Sequence, residues 1–375
     1  MPWCIVVLGM LLGSCSDRDP YMTSRFSVGG DHKSKVRQRV FLIGDAGDPQ
    51  PAEPVLEALQ ARVKIATEKG EKSAIVFLGD NAYPHGLPAE EGKEHDIAKD
   101  RLDQQIRVVT RSGAKGYFIP GNHDGERYGL QPQERYVNAR LKRIGGFLPK
   151  SGRIVSKPVD LDGVRLVMLD TNEWLKLAAE SKSQAKPVSE LKSLIGSAGR
   201  REVMVLGHHP LQTHGVHGGF YDWSYHLFPQ KDGPLKRIPL PLPIVGSLFP
   251  LFVNNAHFDK GLRLGPRKED LHSRAYQSMV KSIDEALAAK RPLIYAAGHD
   301  HNLQVLEGQK HGAQYILVSG LGSTGNETTV THRGDTLFSH LHPGFMSVEF
   351  MRDSSVWLEV IEPGKRPFRT ILKKH

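Results

Sequence analysis

The sequence predicts an α/β fold built in layers around largely parallel β-sheet. Two observations carry that reading. Short apolar runs, rich in β-branched side chains and closed by Gly, Asp or Pro, recur along the chain as buried strands do. Between several of them, apolar residues fall three and four apart, the stripe of an amphipathic helix. Strands that alternate with helices build sheets whose strands run parallel. Composition agrees: of 375 residues, 39% are hydrophobic and 24% charged, an ordinary globular mixture that excludes a disordered or fibrous chain.

The chain opens on Met1-Pro-Trp-Cys-Ile-Val-Val-Leu-Gly-Met-Leu-Leu-Gly-Ser14-Cys15. This apolar stretch is shorter than the ~20 residues of a membrane span and suits the core of a signal peptide. Leu12-Gly-Ser-Cys15 resembles a bacterial lipobox, although no Lys or Arg precedes it. Residues 1–14 are therefore expected to be removed and Cys15 acylated. That makes the mature protein an exported membrane lipoprotein facing the periplasm or the cell exterior. Residues 16–37 are polar and read as a tether.

A single domain is expected over 38–365. Its strands are read at Val40–Ile43, Ala74–Leu78, Tyr117–Ile119, Val164–Leu169, Val203–Leu206, Leu293–Ala297 and Tyr315–Val318. Helices are read at Pro54–Lys69, Ile97–Ser112, Ser189–Ser197 and Arg274–Ala289. Phe345–Phe350 and Val356–Ile361 flank Arg352-Asp-Ser-Ser355 as an antiparallel hairpin. Residues 211–270 interrupt the pattern and include the proline-broken apolar stretch Ile238–Val253. Such an insertion is either a lid or binding loop or an apolar loop packed on the flank.

The net charge of +9 favours anionic partners, and it is spread without a run of five like charges. A dedicated nucleic-acid surface is not indicated. Both cysteines, Cys4 and Cys15, lie in the leader, so the folded body has neither a disulfide framework nor a thiolate metal cluster. Histidine is plentiful, at 18 residues, and clustered.

The clusters stand where strands end. Ile43 leads to Gly44-Asp45-Ala-Gly-Asp48, Leu78 to Gly79-Asp80-Asn-Ala-Tyr83, and Pro120 to Gly121-Asn122-His123-Asp124. Leu206 leads to Gly207-His208-His209, and Ala297 to Gly298-His299-Asp-His301. In parallel sheets, sites form at the carboxyl ends of strands, where Gly allows a tight turn. One Gly-Asp is ordinary turn chemistry; five such ends carrying Asp, Asp, Asn, His and His-x-His are not.

These five motifs, from Asp45 to His301, resemble the calcineurin-like metallophosphoesterases. The first motif departs from the commoner Asp-x-His, with Gly47 in the histidine's place. Tyr83, three after Asp80, is similar to the tyrosine of the purple acid phosphatases, and Gly298-His-Asp-His-Asn-Leu-Gln304 looks like the small animal-type members. The resemblance implies a four-layer α-β-β-α sandwich with mixed sheets and a parallel centre. It implies a first metal held by Asp45, Asp80, Tyr83 and His301, and a second by Asp80, Asn122, His208 and His299. His123 is the implied general acid, with Asp124 as its possible orienting neighbour. His214 or His217 takes the place of a substrate-contacting histidine, and His209 receives no ligand role.

Oxygen and imidazole donors suit hard or borderline ions. Tyrosine holds its proton to a pKa near 10, so a tyrosinate ligand points to Fe(III) in the first site, while Zn, Mn or Fe(II) suits the second. Asp45, Asp80 and tyrosinate leave such a pair with net positive charge, which attracts a phosphate dianion. The expected reaction is hydrolysis of phosphomonoesters, on a phosphorylated small-molecule substrate, by hydroxide generated at the metal pair. A phosphodiesterase acting on nucleotides or lipid head groups is the alternative, and a phosphate-binding surface lipoprotein without turnover is a third reading.

Overall fold

The computed structural model describes residues 19–29, 34–220 and 269–375. The expected signal segment, Cys15 and most of the 211–270 insertion lie outside them. In chain order the described elements are strands β1 (Tyr21–Met22), β2 (Ser27–Val28) and β3 (Val36–Ile43), helix α1 (Pro54–Glu68), β4 (Lys72–Phe77), α2 (Lys93–Ser112), β5 (Lys115–Phe118), α3 (Gln131–Leu141), β6 (Gly145–Phe147) and β7 (Val159–Asp160). There follow β8 (Val164–Met168), α4 (Thr171–Ala179), α5 (Ala185–Gly196), β9 (Glu202–Leu206), α6 (Arg274–Ala288), β10 (Ile294–Ala297), β11 (Leu303–Glu307) and β12 (Tyr315–Ser319). The last are β13 (Thr336–His340), β14 (Phe345–Met351), β15 (Val356–Ile361) and β16 (Phe368–Lys373).

The strands form two sheets, ordered β1-β13-β11-β12-β10-β9-β8-β7 and β2-β16-β15-β14-β3-β4-β5-β6. Parallel pairing holds at β8-β9-β10-β12 in the first and β3-β4-β5-β6 in the second, with antiparallel strands on the flanks. In β3, Val40 and Leu42 face the space between the sheets, where they join Met204, Leu317 and Val348 in a buried cluster. Phe41 and Ile43 point the other way and pack with Leu59 of α1 and Leu102 of α2. Leu191 of α5 and Ile283 of α6 cover the outer face of the first sheet in the same manner. Each central strand is thus buried on both faces, which is why it reads as an unbroken apolar run. The result is the four-layer α-β-β-α sandwich.

The segment expected as a tether is partly built into the fold. Tyr21–Met22 pairs antiparallel with β13, Ser27–Val28 with β16, and Phe26 is buried between the sheets. Two-residue pairings have no period to read, so polar composition alone misled. The C-terminal hairpin pairs Phe345 with Ile361 and inserts beside β3, with Met346 opposite Leu42. The ends of β3 and β12 are tied across the sandwich. The Gly44 N–H donates to the Ser319 carbonyl at 2.7 Å, and Ser319 Oγ to the Leu42 carbonyl at 2.8 Å. The carboxyl ends of both parallel centres therefore meet along one edge.

Candidate metal centre

Along that edge the turns after β3, β4 and β10 place Asp45, Asp80 and His299 in the left-handed backbone region, at φ of 57°, 52° and 68°. For residues with a Cβ this costs on the order of 1–3 kcal/mol each, and it persists only where the surroundings fix it. Hydrogen bonds between the turns supply that constraint. The Asp45 N–H donates to the Gly79 carbonyl at 3.0 Å, the His299 N–H to Asp45 Oδ2 at 2.8 Å, and the His123 N–H to Asp80 Oδ1 at 2.9 Å. Glycine is required beside them. A Cβ on Gly121 would lie 2.1 Å from Asp80 Oδ1, and one on Gly298 would lie 2.4 Å from Asp45 Oδ2.

Two donor clusters result. In the first, Tyr83 Oη is 3.0 Å from Asp45 Oδ1 and 3.1 Å from His301 Nε2, and His301 Nε2 is 3.3 Å from Asp45 Oδ1. In the second, Asn122 Oδ1 is 3.0 Å from His208 Nε2 and 3.1 Å from His299 Nδ1, and His208 Nε2 is 3.4 Å from Asp80 Oδ2. Ligands ~2.1 Å from a shared ion stand ~3.0 Å apart across an octahedral edge and ~3.4 Å across a tetrahedral one. The spacings are those of donors around an ion. Asp45, Asp80 and His208 alone already form a buried group able to hold one.

The far nitrogens of the imidazoles are spoken for. His208 Nδ1 donates to the Leu78 carbonyl at 2.8 Å, His299 Nε2 to that of Glu269 at 3.2 Å, and His301 Nδ1 to that of Asn326 at 2.7 Å. Each bond fixes the tautomer and aims the other nitrogen into its cluster. Electrostatics fit as well. Burial disfavours charge on His208 and His301, yet Asp80 raises the first to about 10 and Asp45 the second to about 9. Burial works against the Asp80 carboxylate too, but His208 holds it well below the usual range. Burial, then the charges of Asp45 and Asp80, keep the Tyr83 proton on well above its ordinary value. Protons therefore balance the buried carboxylates here, and cations would displace them.

The remaining predicted residues divide. His123 is half exposed at the mouth; its Nδ1 donates to the Pro84 carbonyl at 2.8 Å and lies 3.6 Å from Glu126 Oε2. Asp124 points away from it. Fully buried, its carboxylate accepts from the Asn81, Ala82 and Gly121 N–H groups and from the Asn81 and Gln133 side chains, at 2.8–3.1 Å. The expected orienting contact with the His123 ring is not made, because successive side chains diverge and the donors facing Asp124 come from the turn after β4, from helix α3 and from the Gly121 N–H of its own turn. His217 is in the site, its ring stacked 4.0 Å from that of His299 and its Nδ1 donating to Asp270 Oδ1 at 2.9 Å. His214, the other candidate, instead donates from Nε2 to Asp335 Oδ1 at 2.8 Å and lies against Phe220. His209 is buried behind His299, bonded through Nδ1 to Thr171 Oγ1 at 2.8 Å.

A calcineurin-like phosphoesterase family model matches residues 38–318. The chain is a calcineurin-like phosphoesterase. The fold is similar to that of GAP50, described as the anchor in the inner membrane complex of Plasmodium, at 15% identity and a TM-score of 0.55, covering 91% of this chain and 90% of that one. It is also similar to the purple acid phosphatase PPD1 from yellow lupin seeds, at 14% identity and a TM-score of 0.51, covering 90% of this chain and 53% of the lupin chain. PhoD is similar at 9% identity and a TM-score of 0.52, over 91% of this chain and 70% of that one. No curated protein sequence matches.

The family works with a binuclear metal centre, and the two donor clusters of this phosphoesterase fit one. Sequence reasoning missed the groups that support them. Thr213 Oγ1 donates to Asp300, Gln304 Nε2 donates to Thr213 Oγ1 at 2.7 Å, and the His214 N–H donates to Gln304 Oε1 at 2.8 Å, all buried. This network sets the turn that carries His217. Gln304 had been visible only as part of a motif, and Asp270 and Glu126 carry no local signal.

Proposed function

We propose that the chain is an exported, lipid-anchored phosphomonoesterase of the purple acid phosphatase type. Asp45, Asp80, Tyr83 and His301 would hold Fe(III), and Asp80, Asn122, His208 and His299 would hold Zn, Mn or Fe(II), with Asp80 bridging. The observation that supports this reading is the Tyr83 hydroxyl, 3.0–3.1 Å from both Asp45 and His301. A tyrosine whose proton is held so strongly joins a donor set only for a strongly Lewis-acidic ion.

Such an ion pair, when bound, acidifies a water to serve as nucleophile and draws charge from the phosphoryl oxygens. The chain's own side chains do the rest. With its Nδ1–H committed to the Pro84 carbonyl, His123 in its doubly protonated form presents Nε2–H at the mouth and gives that proton to the leaving oxygen, a contribution of ~10²–10⁴ in rate. His217, held by Asp270 flat against His299, would donate from Nε2–H of its doubly protonated ring to a phosphoryl oxygen. No serine or cysteine nucleophile is required.

The test is the visible spectrum of the purified protein beside Tyr83→Phe, with turnover of an aryl phosphate and of its bis-aryl ester. A charge-transfer band lost in the variant, with the monoester preferred, supports the proposal. A colourless protein with two divalent ions and preference for the diester overturns it in favour of a phosphodiesterase.

A further inference from the structure

One corner of the metal-site edge carries features that catalysis does not use. Tyr21 of β1 lies opposite Ser339 of β13, and Ser339 lies opposite Gln304 of β11, three residues beyond His301. Strand neighbours are ~4.8 Å apart, so Tyr21 stands about 10 Å to the side of the strand that follows the metal ligands. The chain enters β1 from the catalytic edge, since Tyr21, not Met22, pairs nearer His340, and His340 is opposite Leu303. The described chain therefore runs into β1 from that edge. Cys15 is six residues upstream, and a chain of that length reaches at most ~20 Å.

The β13–β14 and β15–β16 turns end at the same corner. Glu362 joins them: it pairs with His340, and its Oε2 is 3.7 Å from His342 Nδ1 and 3.3 Å from Lys365 Nζ. Of the large hydrophobic residues exposed among the described residues, Leu341 is on the first turn, Met22 on β1 and Val28 on β2, which pairs with Phe368 just past the second turn. Lys365 and Arg366 are exposed on that second turn. Apolar side chains bordered by cations, at the end of the molecule where the chain leaves toward an expected acyl group, fit one kind of partner.

We propose that this corner docks on an anionic lipid bilayer and holds the metal-site edge against the membrane. Its orientation rests on the proposed acylation of Cys15, but binding by the corner does not. The test uses the full chain carrying Cys15→Ser, so that no acyl group contributes, mixed with vesicles of phosphatidylcholine alone or with one part in four phosphatidylglycerol. Cosedimentation is expected with the anionic vesicles at least ~10-fold above the neutral ones, weakening as salt rises. Adding Arg366→Glu should cut binding by at least ~5-fold, because each cation near such a surface is worth about that much. Adding Leu341→Asp should do likewise, and both variants should turn over a soluble aryl phosphate as the parent does. Equal binding to both vesicles, no binding, binding to an acidic protein only, or variants that bind as the parent would each overturn the proposal. Acylation of the native chain is read separately by incorporation of labelled fatty acid, and the phosphatase reading by aryl phosphate turnover, so their failures stay distinct.

Discussion

Replacing Asp124 with alanine distinguishes a structural from a catalytic carboxylate. Its oxygens accept from five buried donors, drawn from the turn after β4, the turn after β5 and helix α3. An orphaned buried donor costs ~1–3 kcal/mol, so even the low end of that range gives ~5 kcal/mol for Asp124→Ala. That is comparable to the whole stability of many domains. For a domain of about 300 residues, an unfolding entropy of ~2.1 cal/mol/K per residue converts ~5 kcal/mol into a fall of about 8 °C in Tm. The assay is thermal unfolding of metal-stripped wild type and variant, followed by metal content after reloading. Metal content should fall with stability, since Asp80 and Asn122 sit on the turns that Asp124 ties together. A variant with unchanged Tm and full metal, but depressed turnover, would refute the reasoning and return Asp124 to the role of orienting His123.

His123→Ala should lower turnover of an aryl phosphate by ~10²–10⁴ while metal analysis still finds both ions, because its ring belongs to neither donor cluster. Asp80→Ala should lose at least one ion per chain by the same analysis, since in the proposed centre this carboxylate would serve both ions. Burial raises Asp170, the N-cap of α4, to about 7. Between pH 4 and 7 the folded state holds a proton there that the unfolded chain releases. Its stabilising contribution is complete below pH 4 and is lost as pH rises through 7, by up to ~1.4 kcal/mol per pH unit. Asp170→Asn, which keeps a cap, should flatten the Tm profile across that window, as scans at pH 5 and pH 8 would reveal.

The metal-type donors were legible because each follows an apolar strand and a glycine, and the topology brings such ends together. Central strands and the longer helices were legible for the same reason, since burial on both faces or on one stripe leaves a period. What the sequence did not yield depends on partners distant in the chain. Asp124 looked like a neighbour of His123, but its direction is set by Asn81 and Gln133. His214 and His217 looked equivalent; Asp335 takes one and Asp270 the other. Tyr21–Met22 and Ser27–Val28 gain their conformation only from β13 and β16, and β11, β13 and β16 lacked the apolar continuity of the centre.

Asp45, Asp80 and Asn122 come from one sheet, and His208, His299 and His301 from the other. The candidate metal centre is thus a joint between two slabs, and the thickness of the apolar filling between them acts as its ruler. Val348, Leu317 and Met204, buried in that filling, set how far one half of the site stands from the other. A packed interior transmits a change in volume rather than absorbing it, and a misplacement of ~1 Å costs on the order of 10² in rate. Activity in this protein can therefore be tuned from the core, by side chains whose only function is to be a certain width.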